Sequence, residues 1–80
     1  MLNKDKFLSL ISKALKVQKS KIKMSLKVGE IEEWDSLGHL EILTKIDKET
    51  KGKAGKIKNL SSSQSLNQIY ENLKKNKLIK

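Results

Sequence analysis

Three stretches of this chain carry apolar residues at the spacing of an amphipathic α-helix, and they restrict the fold more than any other feature. They cover approximately residues 3–16, residues 36–51 and the segment that begins at residue 65. Each stretch starts beside a residue type that commonly caps helices: Asn3, Asp35 and Ser65. The pattern predicts an all-α protein.

We expect one apolar stripe from each helix to form a mainly aliphatic core. The predicted members are Leu8, Ile11, Leu15, Leu40, Leu43, Ile46, Leu66, Ile69 and Leu73, with Phe7 beside them. At about 100° per residue, Leu37 falls on the opposite, exposed face of the second helix. The pattern does not decide whether Leu10 is buried. The last helix should begin with a capping box formed by Ser65 and Gln68.

The two connectors differ in composition. Residues 17–35 have no sustained helical period but contain scattered apolar residues, so we expect a long loop packed across the helices, with Trp34 buried rather than exposed. Residues 52–64 are rich in Gly, Lys and Ser and should form a mobile connector. His39 should face solvent or cap a helix rather than contact a bound group.

The length and composition favour a binding or carrier role over catalysis. The chain of 80 residues has no cysteine and only one histidine, so thiolate chemistry and a clustered imidazole metal site are excluded. We expect a single domain over residues 1–80 that is not an enzyme. The absence of a long apolar run or a signal-peptide pattern leads us to expect a soluble, cytoplasmic protein without a membrane span.

The segment Glu33-Trp34-Asp35-Ser36-Leu37-Gly38-His39-Leu40-Glu41-Ile42-Leu43 resembles the phosphopantetheine-attachment segment of acyl carrier proteins. The resemblance implies a four-helix bundle with a long first loop, and with a short third helix expected near Lys56–Leu60. It also implies that a separate phosphopantetheinyl transferase, using magnesium, attaches 4'-phosphopantetheine from coenzyme A to Ser36. Asp35 would cap the helix and support the metal site during that transfer.

The resemblance further implies which face of the second helix meets partners. That face would carry Leu37, Glu41, Thr44, Lys45 and Lys48. The expected partners are acyl- or aminoacyl-loading and acyl-transfer enzymes, acting in fatty-acid or specialised biosynthesis, and the carrier should be a monomer. The lysines depart from the acidic face usual in this family, so we expect either a dedicated set of partners or a lysine enrichment without specificity.

The net charge of +9 supports an alternative in which the chain is a small basic helical module that binds nucleic acid or acidic partners. All 18 basic residues are lysine, and the three aromatic residues are isolated in sequence. The arginine forks and stacking platforms typical of nucleic-acid recognition are therefore absent, and we expect no nucleic-acid partner. A purely structural bundle is the third possibility.

Overall fold

The computed structural model describes residues 2–57 and 59–79. This part of the chain forms three α-helices: α1 (Lys4–Leu15), α2 (Ser36–Glu49) and α3 (Leu66–Lys75). Single 3₁₀ turns lie at Lys19–Lys21 and Ala54–Lys56. The described ranges contain no β-strand, although isolated bridges join Leu2 to Ile79 and Lys27 to Ser65. The all-α prediction is confirmed for these residues.

The described residues do not support the predicted four-helix bundle, since they form three helices. In place of a short third helix near Lys56–Leu60, the structure has only the 3₁₀ turn Ala54–Lys56, and Lys58 lies outside the described residues. A helix nucleus is costly, and this connector contains two glycines and few apolar side chains to offset that cost. Contacts with α2 fix the turn instead, because Gly55 N–H donates to Asp47 Oδ1 at 2.9 Å and Ala54 N–H donates to Thr50 Oγ1 at 3.0 Å.

The predicted helix caps are present. Asn3 Oδ1 accepts from the Lys6 N–H at 2.8 Å, and Ser65 Oγ accepts from the Gln68 N–H at 3.2 Å. The capping box of α3 is displaced by one residue, since Gln68 Oε1 accepts from the N–H of Gln64 rather than of Ser65. Local sequence therefore determines where the helices begin, as expected for side chains that satisfy first-turn amides.

Helices α1 and α2 pack antiparallel. Leu15, at the end of α1, lies beside Gly38, at the start of α2, while the first half of α1 shares a groove with the last turn of α2. On α1 the buried residues are Phe7, Leu10, Ile11, Ala14 and Leu15. Leu10 is thus part of the core, whereas Leu8 is only half-buried at its edge.

The predicted stripe of α2 is rotated from the observed one. Leu40, expected in the core, is 58% exposed, whereas Ile42 and Ile46 are fully buried and Leu43 is half-buried. The buried residues follow an i, i+4 row that starts at Gly38, not the i, i+3 row of Leu40, Leu43 and Ile46. A glycine adds no apolar side chain to the pattern, so periodicity could not identify Gly38 as a position that packs against Leu15 of α1.

The long loop is packed, as predicted. Its buried side chains are Ile22, Leu26 and Trp34. Backbone hydrogen bonds hold it against the start of α3: Leu66 N–H donates to Leu26 O at 3.0 Å, and Val28 N–H donates to Gln64 O at 2.9 Å. The loop is therefore fixed at its centre, and this fixes the position of the residues that lead into α2.

None of the described helices is long and apolar enough to cross a membrane.

Candidate functional site

Asp35 and Ser36 form the start of α2. Asp35 is extended, with φ −100° and ψ −163°, and its Oδ1 accepts from the Gly38 N–H at 2.9 Å. Its carbonyl oxygen accepts from the His39 N–H at 2.9 Å and so begins the helical hydrogen-bond pattern. The predicted capping role of Asp35 is confirmed, and Ser36 becomes the first residue of the helix.

The Ser36 side chain is exposed, and its hydroxyl forms no hydrogen bond with any residue of the described ranges. The N-terminus of α2 carries no acidic residue within its first turn. Its free amide groups and the helix dipole therefore favour negative charge at this end. A phosphate ester on Ser36 would be attracted by the free amides of the first turn and repelled by the adjacent Asp35 carboxylate, which already accepts from the Gly38 N–H.

A groove of about 430 Å³ opens beside Ser36, between the start of α2, the long loop and the connector before α3. Its lining comprises Val28, Gly29, Trp34, Asp35, Ser36, His39, Ser61, Ser63 and Gln64. Most of these groups are small or polar, and several backbone segments meet here. The sequence did not predict this groove, because it depends on the loop being held against α3.

Trp34 and His39 form a pair at the base of this groove. Trp34 is fully buried, as predicted, and its Nε1–H donates to His39 Nδ1 at 3.1 Å. His39 Nε2 lies 2.9 Å from Ser61 O, so the hydrogen-bond network assigns the proton to Nε2. The two ring planes are inclined by 20° and their centroids are 6.1 Å apart, so the rings meet edge to edge through this hydrogen bond. His39 therefore joins α2 to both connectors. This differs from the expectation that its side chain would face solvent or cap a helix.

Two side chains near Ser36 that could act as a base toward its hydroxyl are Asp35 and His39, and both already form hydrogen bonds. Both ring nitrogens of His39 already have partners, and Asp35 Oδ1 is used in the helix cap. An isolated serine hydroxyl is a weak nucleophile unless a neighbouring base removes its proton. No base in the described part of the chain hydrogen-bonds to Ser36.

Gly38 allows the loop to approach the start of α2. A Cβ at this position would overlap the carbonyl oxygen of Glu33 and would lie 2.9 Å from Leu15 Cδ2. The backbone before Trp34 can lie in its observed place only if residue 38 has no side chain. Gly38 is therefore part of the site's architecture.

The predicted partner face is largely brought together. Leu37, Glu41, Thr44 and Lys48 are all exposed along one side of α2, and Leu37 is 73% exposed. Lys45 is half-buried, and both Lys45 and Lys48 also line the groove shared with α1. Leu40 joins the exposed side instead of the core. Among large apolar side chains in the described ranges, only Leu37 and Leu40 are exposed, and they form an apolar pair beside Ser36. The sequence predicted the exposure of Leu37 but not of Leu40.

The described residues contain no group of three or more His, Cys, Asp or Glu side chains placed to hold a metal ion. Asp35 is exposed, and within the described part of the chain only one of its two carboxylate oxygens accepts a hydrogen bond. It can therefore contribute one ligand to a metal site completed by a partner.

No protein-family model, curated protein or solved structure matches this chain.

Proposed function

We propose that this chain is a carrier protein that presents an acyl or aminoacyl group on a 4'-phosphopantetheine arm attached to Ser36. The observation that carries the proposal is the free, exposed hydroxyl of Ser36 at the capped start of α2. The likeness of residues 33–43 to the attachment segment of acyl carrier proteins supplies the chemical identity of the group. When attached, the arm supplies a terminal thiol that holds the cargo as a thioester.

The residues around Ser36 fit such an arm. The phosphate would lie at the N-terminus of α2, where the helix dipole and free amides favour an anion. The amide groups of the arm would lie along the groove lined by Ser61, Ser63 and Gln64, which offers polar side chains and backbone. The exposed Leu37 and Leu40 beside Ser36 would give a partner enzyme an apolar contact next to the cargo.

The proposal assigns no catalysis to the chain itself. A phosphopantetheinyl transferase would remove the Ser36 proton, and the free carboxylate oxygen of Asp35 would help to complete its magnesium site. Loading and acyl-transfer enzymes would then meet the exposed face of α2. This division of work agrees with the absence of a hydrogen-bonded base at Ser36 among the described residues.

The test is modification in vitro with coenzyme A, magnesium and a transferase of broad specificity, followed by intact mass spectrometry. We expect the wild-type protein to gain one phosphopantetheinyl group and Ser36→Ala to gain none. Ser61→Ala is the matched control, because Ser61 is also exposed and lines the same groove; it should be modified like the wild type. An adduct that persists in Ser36→Ala would refute the assignment.

A further inference from the structure

A second groove, remote from Ser36, lies between α1 and the last turns of α2 and has a volume of about 360 Å³. Its walls carry four lysines, two from each helix: Lys6 and Lys13 on α1, and Lys45 and Lys48 on α2. We call it the lysine groove. The spacing of each pair, seven residues on α1 and three on α2, places its two ammonium groups on one side of its helix.

The charge of the lysine groove is not neutralised from within. Glu49 is the one acidic residue in its lining, so the formal charge of the lining is +3. In the described ranges, the one ion pair within 4.0 Å joins Lys19 to Asp5, and neither residue lines this groove. Four ammonium groups held around one cleft repel each other, and an anionic occupant would relieve that repulsion.

The lysine groove also has an apolar part. Leu2 and Leu10 belong to its lining and are nearly buried, at 5% and 7% exposure. Lys45 is half-buried, so part of its side chain is covered. The groove therefore combines a leucine floor with lysine walls on two sides.

We infer that the lysine groove binds an acidic amphipathic segment of a partner protein. Such a segment has an apolar row that would contact Leu2 and Leu10, and flanking carboxylates that would pair with the lysines of both helices. A phosphate backbone has charge but no apolar row, and the lysines lack the planar fork that favours bidentate phosphate contacts. The chemistry of the groove thus favours a peptide over a nucleic acid.

The position of the groove allows it to act independently of Ser36. Lys45 and Lys48 lie nine and twelve residues beyond Ser36 on α2, about 14 and 18 Å along the helix axis at the usual rise per residue. A segment bound there would leave the start of α2 uncovered. The inference does not depend on the proposed modification, and either one can fail without the other.

The test is fluorescence anisotropy of the full chain with a labelled peptide built from Leu-Glu-Glu triplets, compared with a Ser-Glu-Glu peptide of equal charge. We expect the leucine peptide to bind more tightly. We also expect Lys6→Gln, Lys48→Gln to weaken that binding about fivefold or more, because it removes one charge contact on each wall. Amide chemical shifts should move mainly on α1 and the last half of α2.

The matched control is Lys74→Gln, Lys75→Gln, which lowers the net charge equally at two exposed lysines at the end of α3. It should leave most of the affinity intact. Equal weakening by the two double variants, or equal affinity for the two peptides, would reduce the interaction to general charge attraction and overturn the inference. Tighter binding of random duplex DNA, lost in the groove variant alone, would overturn it in favour of nucleic acid.

Discussion

Residue 38 shows how one glycine can link local sequence to the geometry of the whole site. In an exposed helix, alanine would be favoured over glycine by up to about 1 kcal/mol. Here an added Cβ would collide with the Glu33 carbonyl and press on Leu15. Backbone cannot rotate out of the way as a side chain can, so steric overlap outweighs helix propensity at this position.

We therefore predict that Gly38→Ala destabilises the protein, because overpacking of this kind typically costs about 1–3 kcal/mol. The measurement is the free energy of unfolding from chemical denaturation. Gly55→Ala is a useful comparison, since its Cβ would meet only the Asp47 carboxylate, at 2.8 Å, and movement of that side chain would disturb one exposed hydrogen bond, from the Gly55 N–H, and no backbone. If Gly38→Ala were as stable as the wild type, the Glu33 carbonyl could not lie as close to residue 38 as the structure places it.

At the residue scale, the sequence predicted what depends on neighbours along the chain. The Asp35 cap and the burial of Trp34 could both be inferred, because capping and the burial of large aromatics follow from local chemistry. The contact from Trp34 to His39 and on to Ser61 could not. It requires three segments to meet, and nothing in the composition of the connectors indicates that they do.

At the scale of the element, helix α2 shows where periodicity fails. Residues i+3 and i+4 point in directions that differ by about 100° around the helix axis. In a helix with leucines and isoleucines on several sides, a row at either spacing can therefore look apolar. The row from Gly38 through Ile42 to Ile46 is buried because it faces Leu15 and the rest of α1. Leu40, outside that row, remains exposed and is available to partners.

Helix α2 gives a direct comparison of two aliphatic residues. Ile42→Ala should lower the free energy of unfolding by about 2–5 kcal/mol, since Ile42 is fully buried, whereas exposed sites usually change by less than about 0.5 kcal/mol. Leu40→Ala should therefore have little effect on the denaturation midpoint. If Leu40→Ala lowered the free energy of unfolding more than Ile42→Ala does, Leu40 would belong to the core, as the sequence predicted. The observed orientation of α2 would then be contradicted.

At the scale of the whole molecule, the excess of lysine bears on which partners the chain can use. The net charge is +9, and Lys45 and Lys48 stand where carriers of the acyl carrier type are usually acidic. Enzymes that use acidic carriers offer basic surfaces, which like charge would repel during encounter. The proposed carrier should therefore serve a dedicated set of enzymes with acidic docking surfaces.

We predict that the pantetheinylated protein is a poor substrate for a standard fatty-acid malonyl transferase and that Lys45→Glu, Lys48→Glu is loaded several-fold faster. The reason is the removal of repulsion at two lysines of α2, of which Lys48 is exposed and Lys45 is half-buried. The measurement is the initial rate of malonyl loading. Lys74→Glu, Lys75→Glu makes the same change of net charge on α3 and should not increase the rate. Equal, efficient loading of the wild type and the α2 variant would remove the electrostatic argument.

Attachment of phosphopantetheine to Ser36 can be tested directly by peptide-level mass spectrometry of protein recovered from a host with an active transferase. We expect a single modified peptide, containing residues 33–43, with the adduct on Ser36 and with every other serine unmodified. A chain recovered without the adduct while the host's own carrier is fully modified, or an adduct on another serine, would contradict it.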